Sequence, residues 1–390
     1  MNIQARKIEN SEEENRVNMG KSRSRNVEWP ERVRLLILEV ILLISVCSLT
    51  GCKTTELEDR CFPMLAAVEQ SRTDGQIDVS YLYQPLDKVS DKATGQAGID
   101  TFVVGANDFY KAWHNYENGL NKVVDYNHLK IILLGTQMLE NTEQMSEMLE
   151  VLEKEENFPR NTYVCVTDKV SEMLKLQESL PSNLGTYLEE LLENNEYVDA
   201  NGLPTLGNLF EEKVNHLETL YLPFFSVEEE LPVQEGFYCM RRGEPVKQVS
   251  TEAAYLSFLE SKNLKQAVVE LADGSFLKLS AFQTDYDLST QGRVTVRISC
   301  EGKMNFGAVD ANDSISRYVS DYFTDIAGKE LEQSGIDVSN CYKKIGGYNR
   351  EWYMAWKEQL ETGSNKGMLF ESNLTIVYQV EVVMTSERVT

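Results

Sequence analysis

Histidine is nearly missing from this chain: His114, His128 and His216 are the only three in 390 residues. Each stands apart from the Cys, Asp and Glu spacings that build metal centres, so structural roles are expected for all three. Cysteine is sparse as well. The seven, Cys47, Cys52, Cys61, Cys165, Cys239, Cys300 and Cys341, form no CxxC pair. Their spacing fits no zinc or haem motif, and so dispersed a set argues against a disulfide framework. Basic residues are in deficit, with 38 Lys and Arg against 62 Asp and Glu and a net charge of −24. An acidic surface repels phosphate, which argues against nucleic acid as a partner and disfavours direct adhesion to anionic lipid headgroups. There is no P-loop, no dinucleotide-binding glycine fingerprint and no GxSxG elbow.

An apolar run long enough to cross a bilayer is also lacking. The longest, Leu35 to Leu49, spans 15 residues and is interrupted by Glu39, whereas a spanning helix needs roughly 20. Its flanks give it another meaning. Residues 1–31 are polar with mixed charge and read as a disordered leader; Arg32 and Arg34 precede the run, and small residues close it. That is the layout of a secretory signal.

The run ends in Leu49-Thr50-Gly51-Cys52, which resembles the lipobox of bacterial lipoproteins. The resemblance implies that the Cys52 thiol is joined to diacylglycerol. It also implies that a signal peptidase recognises Leu49, Thr50 and Gly51 and cuts before Cys52. Gly51 keeps that peptide bond accessible. Each buried methylene contributes about 0.8 kcal/mol, so one acyl chain holds marginally and two hold stably. The covalent diacylglycerol is the only prosthetic group expected, and no cofactor is. Cutting removes 8 of the 38 basic and 7 of the 62 acidic residues, so the anchored body stays strongly acidic.

Residues 52–227 read as an N-terminal α/β domain, with 52–75 as a tether. Glu56 to Ala67 is an arm or a first short element. Gln76–Pro85 alternates as a strand, and His128–Gly135 and Asn161–Val166 read as strands covered on both faces. Between and after them lie helices: one capped by Asn107, one from Thr142, one begun by Thr167 and Asp168, and two over Leu184–Asn195 and Thr205–Leu217. Strand–helix alternation predicts parallel neighbours. Tyr221–Val227 closes this part, and the acidic run Glu228–Glu230 separates it from residues 232–390.

The later part changes pattern. A hairpin over Gly236–Val249 turns at Arg242–Gly243, and a helix is capped by Ser250 or Thr251. Strands follow at Gln266–Leu271, Ser275–Phe282 and Arg293–Cys300. A long helix presents Ile315, Tyr318, Val319, Tyr322 and Ile326, then come a helix over Asn349–Leu360 and a last strand over Asn373–Met384. The fold class expected is therefore α/β plus α+β. An N-terminal mixed or parallel sheet with helices is joined to a C-terminal antiparallel sheet with long helices. The acidic clusters Glu153–Glu156 and Glu189–Glu193 read as solvated helix faces, and Trp113, Trp352 and Trp356 as core.

Taken in order, these pieces resemble the Ger(x)C family. "HLKIILLG" is similar to the family's His-Leu-Lys followed by β-branched residues. "VVGANDFYKAW" stands at its glycine-led helix, and "YLPFFSV" before "GFYCMRRGEPVKQV" stands at its Leu-Pro and glycine-led hairpin. "ELEQSGIDVSNCYKKIGGYNREWYMAW" matches its late helix exit. Lys53 and Thr54 depart from the Trp-Asp usual after the lipid cysteine. The resemblance implies a non-catalytic, lipid-anchored C subunit of a spore nutrient germinant receptor. It would sit on the outer face of the spore inner membrane, scaffolding or signalling with integral-membrane A and B subunits during germination. The competing reading is a lipid-anchored solute-binding protein of a transporter, which needs two similar α/β lobes around a cleft.

Overall fold

The computed structural model describes residues 59–385, except 72–74, 84–99, 121, 155–157, 215–218, 242–243, 289–292, 305–311, 335–337, 339–340 and most of 342–374; before residue 59 it describes only scattered positions between Pro30 and Val40. The chain divides into two compact units, Met1–Thr55 and Glu56–Thr390. In the first, Arg32, Val33, Leu35, Leu36, Glu39 and Val40 are helical. Among the described residues no helix is long and apolar enough to cross a membrane.

The second unit is built on two sheets. After the short β1 (Arg60–Cys61) come β2 (Pro63–Gln70), β3 (Ile77–Tyr83) and β4 (Asp100–Ala106). Helix α1 (Phe109–Gly119), β5 (Val123–Val124) and β6 (Ile131–Gly135) follow, then α2 (Thr136–Glu140), α3 (Thr142–Lys154) and β7 (Tyr163–Thr167). The rest of this layer is α4 (Val170–Lys175), α5 (Leu184–Glu193), α6 (Leu206–Val214), β8 (Thr219–Glu228), β9 (Leu231–Arg241) and β10 (Glu244–Val249). Eight strands form one sheet in the order β10-β9-β8-β7-β6-β2-β3-β4. Its centre is parallel, as strand–helix alternation predicts: β2 with β6, β6 with β7, and β7 with β8.

Both faces of that sheet are buried, and the strand period of two sorts its side chains between them. Leu65, Ala67, Ile131, Leu133, Cys165 and Phe237 enter one core. Their neighbours Ala66, Val68, Ile132, Leu134, Val166 and Tyr238 enter the other. Helices α1, α2, α3 and α6 cover the second of these faces. Met145, Met148, Leu149 and Leu152 of α3 point inward, as their spacing predicts. The cap of α1 is Asp108, whose carboxylate accepts from Lys111 N at 2.7 Å, one residue beyond Asn107.

The other face is shared with the second sheet. Helix α7 (Thr251–Glu260) is capped by Ser250. It leads into β11 (Gln266–Glu270), β12 (Phe276–Leu288) and β13 (Arg293–Met304), then α8 (Asn312–Ser334) and β14 (Thr375–Met384). The strands lie in the order β11-β12-β13-β14. One face points into the common core through Leu277, Leu279, Val296, Ile298, Tyr378 and Val380. Helices α4, α5, α7 and α8 contribute to the same core, α8 through Ile315, Val319, Phe323, Ala327 and Leu331.

Three features differ from the expectations. The Glu56–Ala67 segment holds β2, a central strand paired with both β3 and β6. The C-terminal sheet is mixed, because β14 runs parallel to β13; the connection through α8 returns the chain to its starting end, as a parallel crossover requires. Finally, residues 228–231 form the turn of a β8–β9 hairpin inside the eight-stranded sheet, so β9 and β10 belong to the first layer.

Candidate functional site

Leu49, Thr50, Gly51 and Cys52 lie outside the described residues. The chain after them can be followed from the point where it enters the body. β1 pairs parallel with β5 through Arg60–Val123 and Cys61–Val124. Asp125 N donates to the Cys61 carbonyl at 2.8 Å, and the Arg60 guanidinium bonds Asp125 Oδ2 at 2.9 Å. Asp125 Oδ1 also accepts from Asn127 N at 3.1 Å and Asn127 Nδ2 at 2.8 Å. Burial pushes this carboxyl up, but the Asn127 and Arg60 hydrogen bonds outweigh it and hold the group below its usual range. Seven residues lie between Cys52 and Arg60.

The clamp is backed by a wall of aromatic rings. Cys61 Sγ lies 3.7 Å from the Tyr116 hydroxyl, and Tyr116 stacks on Tyr81 with centroids 4.0 Å apart. Tyr126, next to Asp125, stacks on Phe158 at 4.3 Å, and its hydroxyl accepts from Trp113 Nε1 at 2.8 Å. Burial, with neighbouring acidic groups, pushes the phenols of Tyr81, Tyr116 and Tyr126 far above their ordinary value, so they stay neutral. Stacked rings and a buried indole bond fix this region by packing. The arrangement holds the Arg60–Cys61 segment in place.

The other residues singled out in the sequence do not converge. His114 stacks on Tyr110 with ring centroids 6.1 Å apart. His128 meets Phe62 edge-on at 5.0 Å, and His216 lies outside the described residues. Among the described residues no group of three His, Cys, Asp or Glu side chains could hold a metal ion. Cys61, Cys165, Cys239, Cys300 and Cys341 are buried and in no disulfide. Burial pushes the Cys300 thiol up to about 12 and raises Cys165 and Cys239 as well, which suppresses thiolate reactivity. In the 189–193 acidic cluster, Glu189 is paired with Lys130 at 2.9 Å. Trp113 is buried core, as expected; Trp352 and Trp356 lie outside the described residues.

Concave surface occurs in three described places. A groove of about 600 Å³ runs between α8 and the second sheet, past Thr284, Ile298, Ser316, Arg317 and Val380. A polar recess of about 210 Å³ lies at the end of α7, beside Asn208, Ser261 and Asn263. An apolar groove of about 380 Å³ lies between Tyr197, Phe225, Pro232, Phe237 and Tyr255. The last is not legible in the sequence, because its walls come from residues up to 64 positions apart, Leu191 to Tyr255.

Residues 53–227 match the family described as spore germination protein N-terminal domain. Among solved structures the chain is similar to the crystal structure of the GerBC protein, at 13% sequence identity and a TM-score of 0.49. That likeness covers 82% of this chain and 97% of the other. No curated protein matches.

Proposed function

We propose that this chain, whose residues 53–227 match the spore germination protein N-terminal domain family, is a Ger(x)C protein and the lipid-anchored C subunit of a nutrient germinant receptor. The observation that carries the reading is where the family match begins: at residue 53, directly after Cys52. In this reading everything up to Gly51 is a removable export signal and Cys52 is the first residue of the anchored protein. The diacylglycerol holds an acidic body at the outer face of the spore inner membrane without a basic patch. In this reading the corner where Arg60 pairs with Asp125 is the one nearest the lipid. The subunit scaffolds or signals through its surface, non-catalytically, with integral-membrane A and B subunits.

The test is Cys52→Ser in sporulating cells. The expected outcome is loss of the protein from the spore inner-membrane fraction, loss of co-purification with the two membrane subunits, and a failed nutrient response. Retention in that membrane fraction with an uncut Met1 terminus would overturn the reading.

A further inference from the structure

The apolar groove beside Tyr197 and Tyr255 combines two properties that nothing within the fold requires. Its rings are stacked, with centroids 6.0 Å apart at 25°, and Val198, Phe225, Pro232 and Phe237 complete an apolar lining. Around it, large apolar side chains stay exposed: Leu191 at 38%, Tyr197 at 37% and Leu231 at 48%. Three of the segments that build the groove carry carboxylates next in sequence to its lining residues. Glu190 precedes Leu191, Glu196 precedes Tyr197, Glu235 follows Gln234 and Glu252 follows Thr251. The β8–β9 turn, leading into Leu231 and Pro232, adds Glu229 and Glu230. Of these, Glu196 accepts from Gln266 at 3.2 Å. Lys265 is the opposing cation, and its Nζ donates to the Asn195 carbonyl at 3.4 Å.

An apolar trough with a rim of like charge selects for an opposite partner. Aromatic and aliphatic anchors seat in the trough, and cations flanking them answer the rim. The volume, about 380 Å³, holds a few side chains of a segment and not a whole domain face. The turn supplies supporting evidence. Glu229 and Glu230 stand at φ 47° and 63°, a conformation that favours Asn-Gly. Two glutamates thus hold positions that local backbone energetics would give to other residues, and both add negative charge to the turn that leads into Leu231 and Pro232.

We propose that this groove is a docking site for a cationic amphipathic segment of a partner protein, with apolar side chains in the trough and Lys or Arg against the glutamates. The proposal deepens the receptor-subunit reading by naming a contact face. It can fail while that reading stands.

Two measurements on the full-length chain test it. In dodecyl maltoside, anisotropy would follow a dye-labelled lysine–leucine amphipathic helix, with a lysine–glycine peptide of equal length and charge as the comparison. The expected result is tighter binding of the amphipathic peptide, weakened about tenfold by Tyr197→Ser or Leu231→Ser. Glu230→Gln with Glu235→Gln would lower both the affinity and its salt dependence. Val383→Ser, on the open face of the second sheet, would change nothing. Both altered apolar residues are exposed, so circular dichroism should report an intact fold. Equal binding of the two peptides, or indifference to Tyr197 and Leu231, would overturn the proposal. In spores, a benzophenone amino acid at 197 or 231 should crosslink to one basic, apolar-anchored segment of a membrane protein. Crosslinks to lipid only, to a second copy of this chain, or only from position 383 to a membrane protein would overturn it; the last would leave the receptor reading intact.

Discussion

The hydroxyl oxygen of Ser320 accepts the backbone N–H of Val380 at 2.8 Å. It is the middle rung of a ladder. One helical turn to either side, Ser316 accepts from Val382 N at 3.0 Å and Thr324 from Tyr378 N at 2.9 Å. β14 pairs with β13 on one side only, and hydroxyls four residues apart on α8 satisfy the amides of its other edge. Helix α8 stands where a fifth strand would pair, removing an edge that could template aggregation. Ser320→Ala leaves a half-buried amide without its acceptor, at a cost of about 1–3 kcal/mol. Thr324→Val keeps the shape and should cost a similar amount. Urea denaturation of each variant reads this directly. The double variant should also aggregate faster on mild heating, by light scattering.

The turn between β8 and β9 predicts the opposite sign. Glu229 and Glu230 both adopt left-handed backbone, at φ 47° and 63°, where an L residue with Cβ is disfavoured by roughly 1–2 kcal/mol. Replacing them with Asn-Gly should stabilise the protein by at least about 1 kcal/mol. The urea midpoint should rise with an unchanged slope. A fall in the midpoint would mean that the two carboxylates make a compensating contact within the fold.

The clamp at the chain entry carries a pH dependence. The folded Asp125 carboxyl is held below its usual value, while in the unfolded chain it titrates near about 3.9. A depressed folded value contributes stability that is fully present above the unfolded pKa. That contribution is lost as pH falls through the folded pKa. Wild-type stability should therefore drop below about pH 4 by more than that of Asp125→Asn, which has no carboxylate to protonate. At pH 7 the variant should be the less stable of the two. Parallel melting curves across pH 3 to 7 would check both statements.

Much of this fold was legible because periodicity reports burial. The strand at 131–135 has every residue buried, which is what a continuous apolar run implies, and the inward positions of α3 followed from spacing alone. The failures share a cause: partners distant in sequence. Ala66 and Ala67 are too small to mark β2 as a strand, and its place comes from pairing with β3 and β6. The parallel β13–β14 pair was implied by the helix between them, yet the hairpins before it suggested an antiparallel sheet. Ser316, Ser320 and Thr324 stand at four-residue spacing on α8, but the apolar stripe of that helix is the stronger signal and hydroxyls on its other positions look like ordinary solvated surface. The groove at Tyr197 and Tyr255 needed three dimensions, because no single segment carries it.

Thiol counting separates the processed protein from the precursor without any membrane preparation. The sequence has seven cysteines, and Cys61, Cys165, Cys239, Cys300 and Cys341 are buried and in no disulfide. With Cys300 pushed up to about 12 and the others enclosed, these five should resist iodoacetamide at pH 8 while the protein is folded. If the chain is processed as proposed, Cys47 is cut away and the Cys52 sulfur is held in a thioether. Denaturation should then release five reactive thiols and no more. An uncut, unmodified chain releases seven. Mass spectrometry of the alkylated peptides assigns each count, and a labelled Cys52 in spore-derived protein would mean that the sulfur carries no lipid.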